Sequence, residues 1–148
     1  MTAINKILVA VDFSDHSKYI ADYAKLLATK LDAALVVVYA APSLSQYVGF
    51  HVPPNSIESF VGEIVSGAEK SMDTYLAENF SGLQTTGKVV TGYAAEEILA
   101  TAEQENADMI VMGTHGRKGI DRILFGSVAE KVVKGANIPV LTVRPPAL

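Results

Sequence analysis

The sequence predicts an α/β fold: a doubly wound, five-stranded parallel sheet with helices on both faces. Three observations lead to this prediction. Short, continuous apolar runs rich in β-branched residues recur along the chain, and such runs are typical of strands buried on both faces. Amphipathic segments with helical spacing lie between them. Because strand and helix alternate, the connections are right-handed crossovers and neighbouring strands run parallel.

The first three elements follow from the apolar pattern before residue 41. Ile7–Val11 is a buried strand, and Asp12 breaks the apolar run. A helix over 14–31 follows, with Ser14 as its N-cap. Ala34–Ala40 forms the second buried strand, which completes a strand–helix–strand unit.

The middle of the chain predicts a loop, a long helix and a polar strand. The segment 42–55 contains several prolines and predicts the loop. Asn55–Glu58 resembles a capping box at the start of the helix, whose apolar residues continue to Leu76. Thr85–Thr91 is the third strand, and its polar residues favour a position at the edge of the sheet.

The last third predicts two helices and two strands. A helix over about 95–105 precedes the buried strand Asp108–Met112. A second helix spans about 127–135, with Gly135 as its C-cap. Pro139–Arg144 is the fifth strand. In such sheets ligands bind beyond the carboxyl ends of the strands, where the strand order reverses.

Composition limits the classes of function. The 148 residues fit one domain, so we expect a single domain over 1–148. A net charge of −4 offers no large basic surface, and nucleic acid is not an expected partner. The absence of cysteine excludes disulfides, cysteine-ligated zinc and thiol catalysis. No apolar run approaches the ~20 residues of a membrane span, and we expect a cytoplasmic protein without membrane contact.

A glycine-rich stretch from Gly113 to Ser127 follows the fourth predicted strand and precedes a helix. Glycine lets the backbone approach a ligand closely, and the first turn of a helix offers N–H groups and partial positive charge. Together they favour a phosphate. The stretch is neither a Walker A loop nor G-x-G-x-x-G, because its spacing is G-x-x-G, nine residues, then G-S. On spacing alone, a tight turn with a helix cap is an equal alternative.

The chain resembles the universal stress protein family from about residue 4 to 145. Three stretches carry the resemblance: this glycine motif, Val9–Ser14 and Pro139–Pro145. The full glycine motif places it with the ATP-binding members. The resemblance implies an adenine nucleotide alpha-hydrolase-like fold with strand order 3-2-1-4-5. It also implies ATP with Mg²⁺ or Mn²⁺ as the ligand.

The resemblance further implies a role for each matched position. Gly113 and Gly116 approach the ribose and phosphates, Ala40 meets adenine through its backbone, and Asp12 is a polar or metal-linked partner of the nucleotide. Many relatives carry a larger aliphatic residue at Ala40 and a proline at Ala10, changes that backbone contacts tolerate. The complete set of nucleotide-binding positions is Ala10, Asp12, Ala40, Met112, Gly113, His115, Gly116, Gly126, Ser127, Val128 and Ala129.

Several of these side chains also have plainer interpretations. Asp12 is either a nucleotide partner or only a cap for the helix that follows, and Ser127 is a phosphate ligand, an N-cap or both. Histidine side chains can serve as general bases near neutral pH, a role open to His115, but no carboxylate partner is visible for it in the sequence. Two groups of candidates remain. The basic side chains of Arg117, Lys118 and Arg122 are either phosphate contacts or surface charges. A lid or partner surface is the role considered for Tyr47, Phe50 and His51.

The last strand predicts a homodimer. As an end strand it leaves an unpaired edge, which pairing across a two-fold axis covers, and the resemblance implies the same dimer. The alternative is that the tail Pro145–Leu148 covers it. The residues concerned are Val140, Leu141, Thr142 and Val143.

We therefore expect an ATP-binding stress-response protein that acts as a nucleotide-dependent switch on an unknown protein partner. The switch would order the loops 42–55 and 114–125, and hydrolysis would be slow at most. One alternative is a nucleotide hydrolase or phosphotransferase that uses His115 and Asp12. Another is a nucleotide-independent interaction module in which the glycines are structural.

Overall fold

The computed structural model describes residues 2–43, 54–114 and 126–146. Within these ranges strands and helices alternate along the chain. The strands are β1 (Lys6–Ala10), β2 (Ala34–Ala41), β3 (Thr85–Thr91), β4 (Met109–Gly113) and β5 (Val140–Val143). The helices are α1 (Ser17–Leu31), α2 (Pro54–Asn79), α3 (Ala94–Gln104) and α4 (Ser127–Gly135).

The strands form one parallel sheet in the order β3-β2-β1-β4-β5, which confirms the predicted order. In the central strand, Leu8 aligns with Val36 of β2 and with Ile110 of β4. Ala10 aligns with Met112, so the carboxyl ends of β1 and β4 lie side by side. The order of the strands reverses between these two, and this is where a doubly wound sheet opens a crevice.

Alternate residues of the central strands face opposite layers of helices. Ile7 and Val9 pack in one apolar cluster with residues of α1 and α2, including Ala24 and Met72. Leu8 packs in the other cluster with residues of α3 and α4. Both faces of the sheet are thereby buried, which explains why the strands read as continuous apolar runs.

Helix α2 is the longest in the described part of the chain, with 26 residues. Met72 and Tyr75 on its inner face are almost fully buried against the sheet, whereas Phe60 near its start is half exposed. None of the helices in the described ranges combines the length and apolar character that crossing a membrane requires.

The structure corrects the predicted starts of two helices. Ser14 is not an N-cap, because α1 begins at Ser17 and the Ser17 N–H donates to the Ser14 carbonyl at 3.0 Å. Asn55 does not precede α2 either, because that helix begins at Pro54. A proline in the first turn has no N–H to satisfy and a suitable φ, so it begins the helix where the sequence indicated a loop.

Gly135 is also not a C-cap. It is the last residue of α4, and the C-cap is Ala136 in an extended conformation. A Cβ on Gly135 would lie 2.8 Å from Leu99 Cδ1 of α3. The glycine therefore allows the two helices on this face of the sheet to approach each other.

Candidate functional site

A cavity of about 550 Å³ opens at the carboxyl ends of β1 and β4, between α3 and the start of α4. Its walls come from β1, β2 and β4, from the segment after β1 and from both helices. It brings together nine of the positions predicted from the sequence: Ala10, Asp12, Ala40, Met112, Gly113, Gly126, Ser127, Val128 and Ala129. His115 and Gly116 lie outside the described residues, as do the other candidate side chains Tyr47, Phe50, His51, Arg117, Lys118 and Arg122.

Asp12 lies at the rim of this cavity and also stabilises the turn that precedes α1. Its Oδ1 accepts hydrogen bonds from the Ser14 N–H at 2.9 Å and from Ser17 Oγ at 3.4 Å. The carboxylate therefore does part of what the capping interpretation predicts. Asp12 also lines the cavity, so one position of its side chain is compatible with both interpretations, the helix cap and the nucleotide partner.

The residue between Asp12 and Ser14 has an unusual backbone conformation. Phe13 has a φ of 60°, in the left-handed region that bulky side chains avoid. Such a conformation costs about 1–3 kcal/mol and persists only where the surroundings hold it. Here the Phe13 ring packs against Tyr39 and Tyr75, with ring centroids 4.9 Å and 6.0 Å away.

The start of α4 faces the cavity without a side-chain cap. Gly126 is the N-cap residue, in an extended conformation, and as a glycine it has no side chain that could cap the helix. Ser127 is therefore the first helical residue and not the N-cap. The first intrahelical bond joins the Glu130 N–H to the Gly126 carbonyl at 3.0 Å. The N–H groups of residues 127–129 thus have no acceptor within the helix, and all three residues line the cavity.

Thr114 connects this helix start to the sheet. Its carbonyl accepts the Gly126 N–H at 2.6 Å, and its own N–H donates to the Val143 carbonyl of β5 at 3.0 Å. One backbone hydrogen bond therefore joins the two ends of the segment between Thr114 and Gly126. Thr114 is 5% exposed and lines the cavity, although the sequence did not single it out.

The sequence also failed to identify Ala94 and Ile98 of α3, which form an apolar wall of the cavity. Their only signal was their place on the inward face of a predicted helix, which does not distinguish a core residue from a pocket residue. The cavity thus has an apolar side at α3 and a side rich in hydrogen-bond donors at α4. This combination suits a ligand with a flat apolar part and an anionic part.

A model of the universal stress protein family matches residues 3–144 of the chain. The chain belongs to the universal stress protein family. Universal stress protein MJ0531 of Methanocaldococcus jannaschii is 36% identical over 143 residues, which cover 95% of this chain and 82% of that relative. These findings confirm the family that the glycine motif indicated.

Solved structures share the fold of this universal stress protein. The structure of MJ0577 from Methanocaldococcus jannaschii has a TM-score of 0.87 at 27% identity, and the match covers 99% of this chain and 100% of that chain. A universal stress protein from Archaeoglobus fulgidus, solved in complex with dAMP, has a TM-score of 0.65 at 20% identity, with coverage of 96% and 98%. The adenine nucleotide alpha-hydrolase-like architecture predicted for the chain is therefore confirmed.

Metal-binding side chains are sparse in the part of this universal stress protein that the structure describes. The described residues contain no group of three or more histidine, aspartate or glutamate side chains able to hold a metal ion. Mg²⁺ differs from most metals in this respect, because it is commonly held by one or two carboxylates together with phosphate oxygens and water. The single carboxylate of Asp12 at the cavity rim fits that kind of site.

Proposed function

We propose that the chain binds ATP, with Mg²⁺ or Mn²⁺, in the cavity at the carboxyl ends of β1 and β4, one nucleotide per domain. One observation carries the proposal. The uncapped start of α4 presents the N–H groups of residues 127–129 to a cavity of about 550 Å³. The helix dipole adds partial positive charge there, so the site favours phosphate.

The remaining walls supply the other contacts. The adenine ring lies against the apolar wall of Ala94 and Ile98 and meets the backbone of Ala40. Asp12 lies near the nucleotide and holds the metal ion directly or through water. When bound, the ion neutralises phosphate charge. That a relative of the same fold was solved with dAMP supports an adenine nucleotide as the ligand class.

We assign the bound protein the role of a regulatory switch in the cytoplasm that presents a different surface to a protein partner with and without nucleotide. Hydrolysis is slow at most. In the described lining of the cavity, Asp12 and Tyr39 are the titratable side chains, and they do not form a nucleophile–base pair. Turnover well above background that His115→Ala abolishes, with ATP binding intact, would instead establish the hydrolase alternative.

The same proposal includes a homodimer through β5. This strand ends the sheet on the side opposite β3, and three of its four residues are only half-buried. An exposed apolar edge strand is prone to pair with another strand, and pairing with its own copy about a two-fold axis satisfies both edges.

The decisive test compares nucleotide binding by the parent chain and by Gly126→Val. Gly126 has a φ of −71° and a ψ of 167°, which valine adopts readily, so the variant keeps the fold. The valine adds bulk at the N-cap position, which lines the cavity where the phosphates would lie. Gly67→Ala is the control, because a Cβ at Gly67 in α2 meets no atom within 4 Å.

Nucleotide content is measured first on protein purified without added ligand, and titration calorimetry with ATP–Mg²⁺, AMP and a cyclic nucleotide follows. We expect affinity near micromolar, about −8 kcal/mol, in the parent chain and in Gly67→Ala. Gly126→Val should lose it. If the folded parent binds none of the three nucleotides, the glycines are structural and the interaction-module alternative takes the place of this proposal.

A further inference from the structure

The turn after β1 adopts its shape against the preference of its central residue. Phe13 has a φ of 60°, whereas glycine, asparagine and aspartate are the residues that commonly occupy this region. Phenylalanine has no polar group that could stabilise the turn locally. The stabilisation therefore comes from its surroundings: the hydrogen bond of the neighbouring Asp12 and the rings that the Phe13 side chain contacts.

The Phe13 ring connects the turn after β1 to β2 and to α2. Its centroid lies 4.9 Å from that of Tyr39 on β2, in a tilted arrangement, and 6.0 Å from that of Tyr75 on α2, edge to face. Tyr75 is itself fixed, because its hydroxyl donates to the Ser17 carbonyl at the start of α1, 2.7 Å away. Aromatic pairs at these separations attract each other beyond the burial of their area. The ring is therefore an anchor for the turn.

The neighbouring Asp12 depends on the shape of this turn. Its Oδ1 accepts the Ser14 N–H at 2.9 Å, a hydrogen bond that spans Phe13. The direction of that N–H is set by the backbone dihedrals of Phe13. If Phe13 took a right-handed conformation, the Ser14 N–H would point elsewhere and the carboxylate would lose this bond at the cavity rim.

We propose that Phe13 is a positioning residue whose ring, held between Tyr39 and Tyr75, fixes the turn that places the Asp12 carboxylate for the bound nucleotide. This rests on the proposed nucleotide function. Phe13 acts through Asp12, since it lines the neighbouring groove between α1 and α2 and not the cavity itself.

The first test is a double-mutant cycle on ATP–Mg²⁺ affinity with Phe13→Asn and Asp12→Ala. Asparagine tolerates the left-handed conformation, so Phe13→Asn removes the ring without adding backbone conflict. We expect it to weaken binding by about tenfold, the lower end of what loss of a supporting group costs at a ligand site. In the Asp12→Ala background the same change should have no further effect, and Phe13→Tyr, which keeps the ring, should bind like the parent chain.

The second test needs no ligand. Hydrogen exchange of the Ser14 amide reports the bond to Asp12, and we expect Phe13→Asn to speed it about tenfold or more. Ala28→Gly is the stability control: it removes a buried methyl near the end of α1, away from the turn, and should lower stability without changing either readout.

The outcomes separate the two proposals. Equal loss of affinity in both backgrounds, or unchanged exchange at Ser14, shows that Phe13 is merely a core residue and overturns the inference. If the parent chain and Phe13→Asn bind nucleotide equally tightly, the inference is also overturned, but the proposed function stands. A folded parent that binds no nucleotide overturns the proposed function and this inference with it.

Discussion

One phenol hydroxyl links two helices on the same face of the sheet. Tyr75 of α2 is 8% exposed, and its hydroxyl donates to the Ser17 carbonyl of α1 at 2.7 Å. Burial raises the pKa of Tyr75 well above its ordinary value of 10.0, and the negative charges of Asp22 and Asp12 raise it further. The neutral phenol is thus the form that the folded protein contains.

This predicts a stability contribution that disappears at alkaline pH. Because the folded pKa of Tyr75 lies above the unfolded one, the contribution is fully present below pH 10.0 and declines as pH rises beyond it. Tyr75→Phe should lower the free energy of unfolding by about 1 kcal/mol at pH 8. The difference between the two proteins should shrink as pH rises above 10.0, as measured by urea unfolding. A constant difference across that range would show that ionisation of Tyr75 is not linked to folding.

At this scale the sequence predicts where a residue lies better than the conformation it adopts. Asp12 is recognisable because a carboxylate that ends a buried apolar strand is unusual. The left-handed Phe13 is not, since its conformation results from contacts with Tyr39 and Tyr75, which are distant in sequence. Ser14 has the right residue type for a helix cap, but Asp12 accepts its N–H and the helix begins three residues later.

Between elements, the contact of β3 with α2 depends on a residue that has no side chain. A Cβ on Gly87 would lie 2.5 Å from Met72 Cγ and 2.9 Å from Leu76 Cδ1. Met72 is 3% exposed and packed in the core, so it has little room to move. Gly87 thereby sets how closely the long helix lies on this edge strand, at the cost of weaker strand propensity.

The same substitution should consequently have opposite effects at two glycines. Gly87→Ala should lower the free energy of unfolding by about 1–3 kcal/mol, because it overpacks a filled contact. Gly67→Ala, within α2 and with no atom near its Cβ, should raise it by up to about 1 kcal/mol through helix propensity. Denaturant unfolding of the two variants measures both changes. Equal effects of one sign would contradict the packing described for Gly87.

Elements were predictable where one physical effect dominates. The strands agree with the sequence to within one or two residues, and β1, β2 and β4 do so because burial on both faces leaves a continuous apolar run. The start of α2 was missed because proline has two opposite effects on helices. It breaks a helix in the interior but is favoured in the first turn, and the sequence pattern alone does not show which effect applies at Pro54. Gly135 has the residue type of a C-cap, yet its role is the approach of Leu99 from another helix.

For the whole molecule, the position of the cavity follows from the order of the strands. Only because β1 lies next to β4 do Asp12 and Gly113 line one space. Periodicity along the chain contains no information on which parallel strands are neighbours, so that order came from the family resemblance. The binding roles of the lining residues stay predictions until nucleotide titration.

The proposed homodimer predicts that an outward-facing backbone group of β5 is essential. The Pro139 carbonyl accepts a hydrogen bond from β4, and the Val143 carbonyl accepts one from Thr114 just after it. Alternate residues of β5 therefore face inward, and the Thr142 N–H faces the open edge. Thr142→Pro removes this donor at a position where an edge strand tolerates proline. Sedimentation equilibrium should show a dimer for the parent chain and for Thr142→Val, and a folded monomer for Thr142→Pro. A dimer that survives Thr142→Pro would place the interface elsewhere.

Thr114 connects the cavity to that edge. Its backbone bonds to Gly126 at the helix start and to Val143 on β5, at 2.6 Å and 3.0 Å. If the cavity holds a nucleotide and the edge holds a second subunit, one residue is bonded to both binding sites and can couple the two equilibria. Thermodynamic reciprocity then requires that any factor by which the ligand tightens subunit association is the factor by which association tightens the ligand. If the ligand tightens association, dilution of such a protein would release the ligand, so the concentration of the protein itself would become an input to the signal.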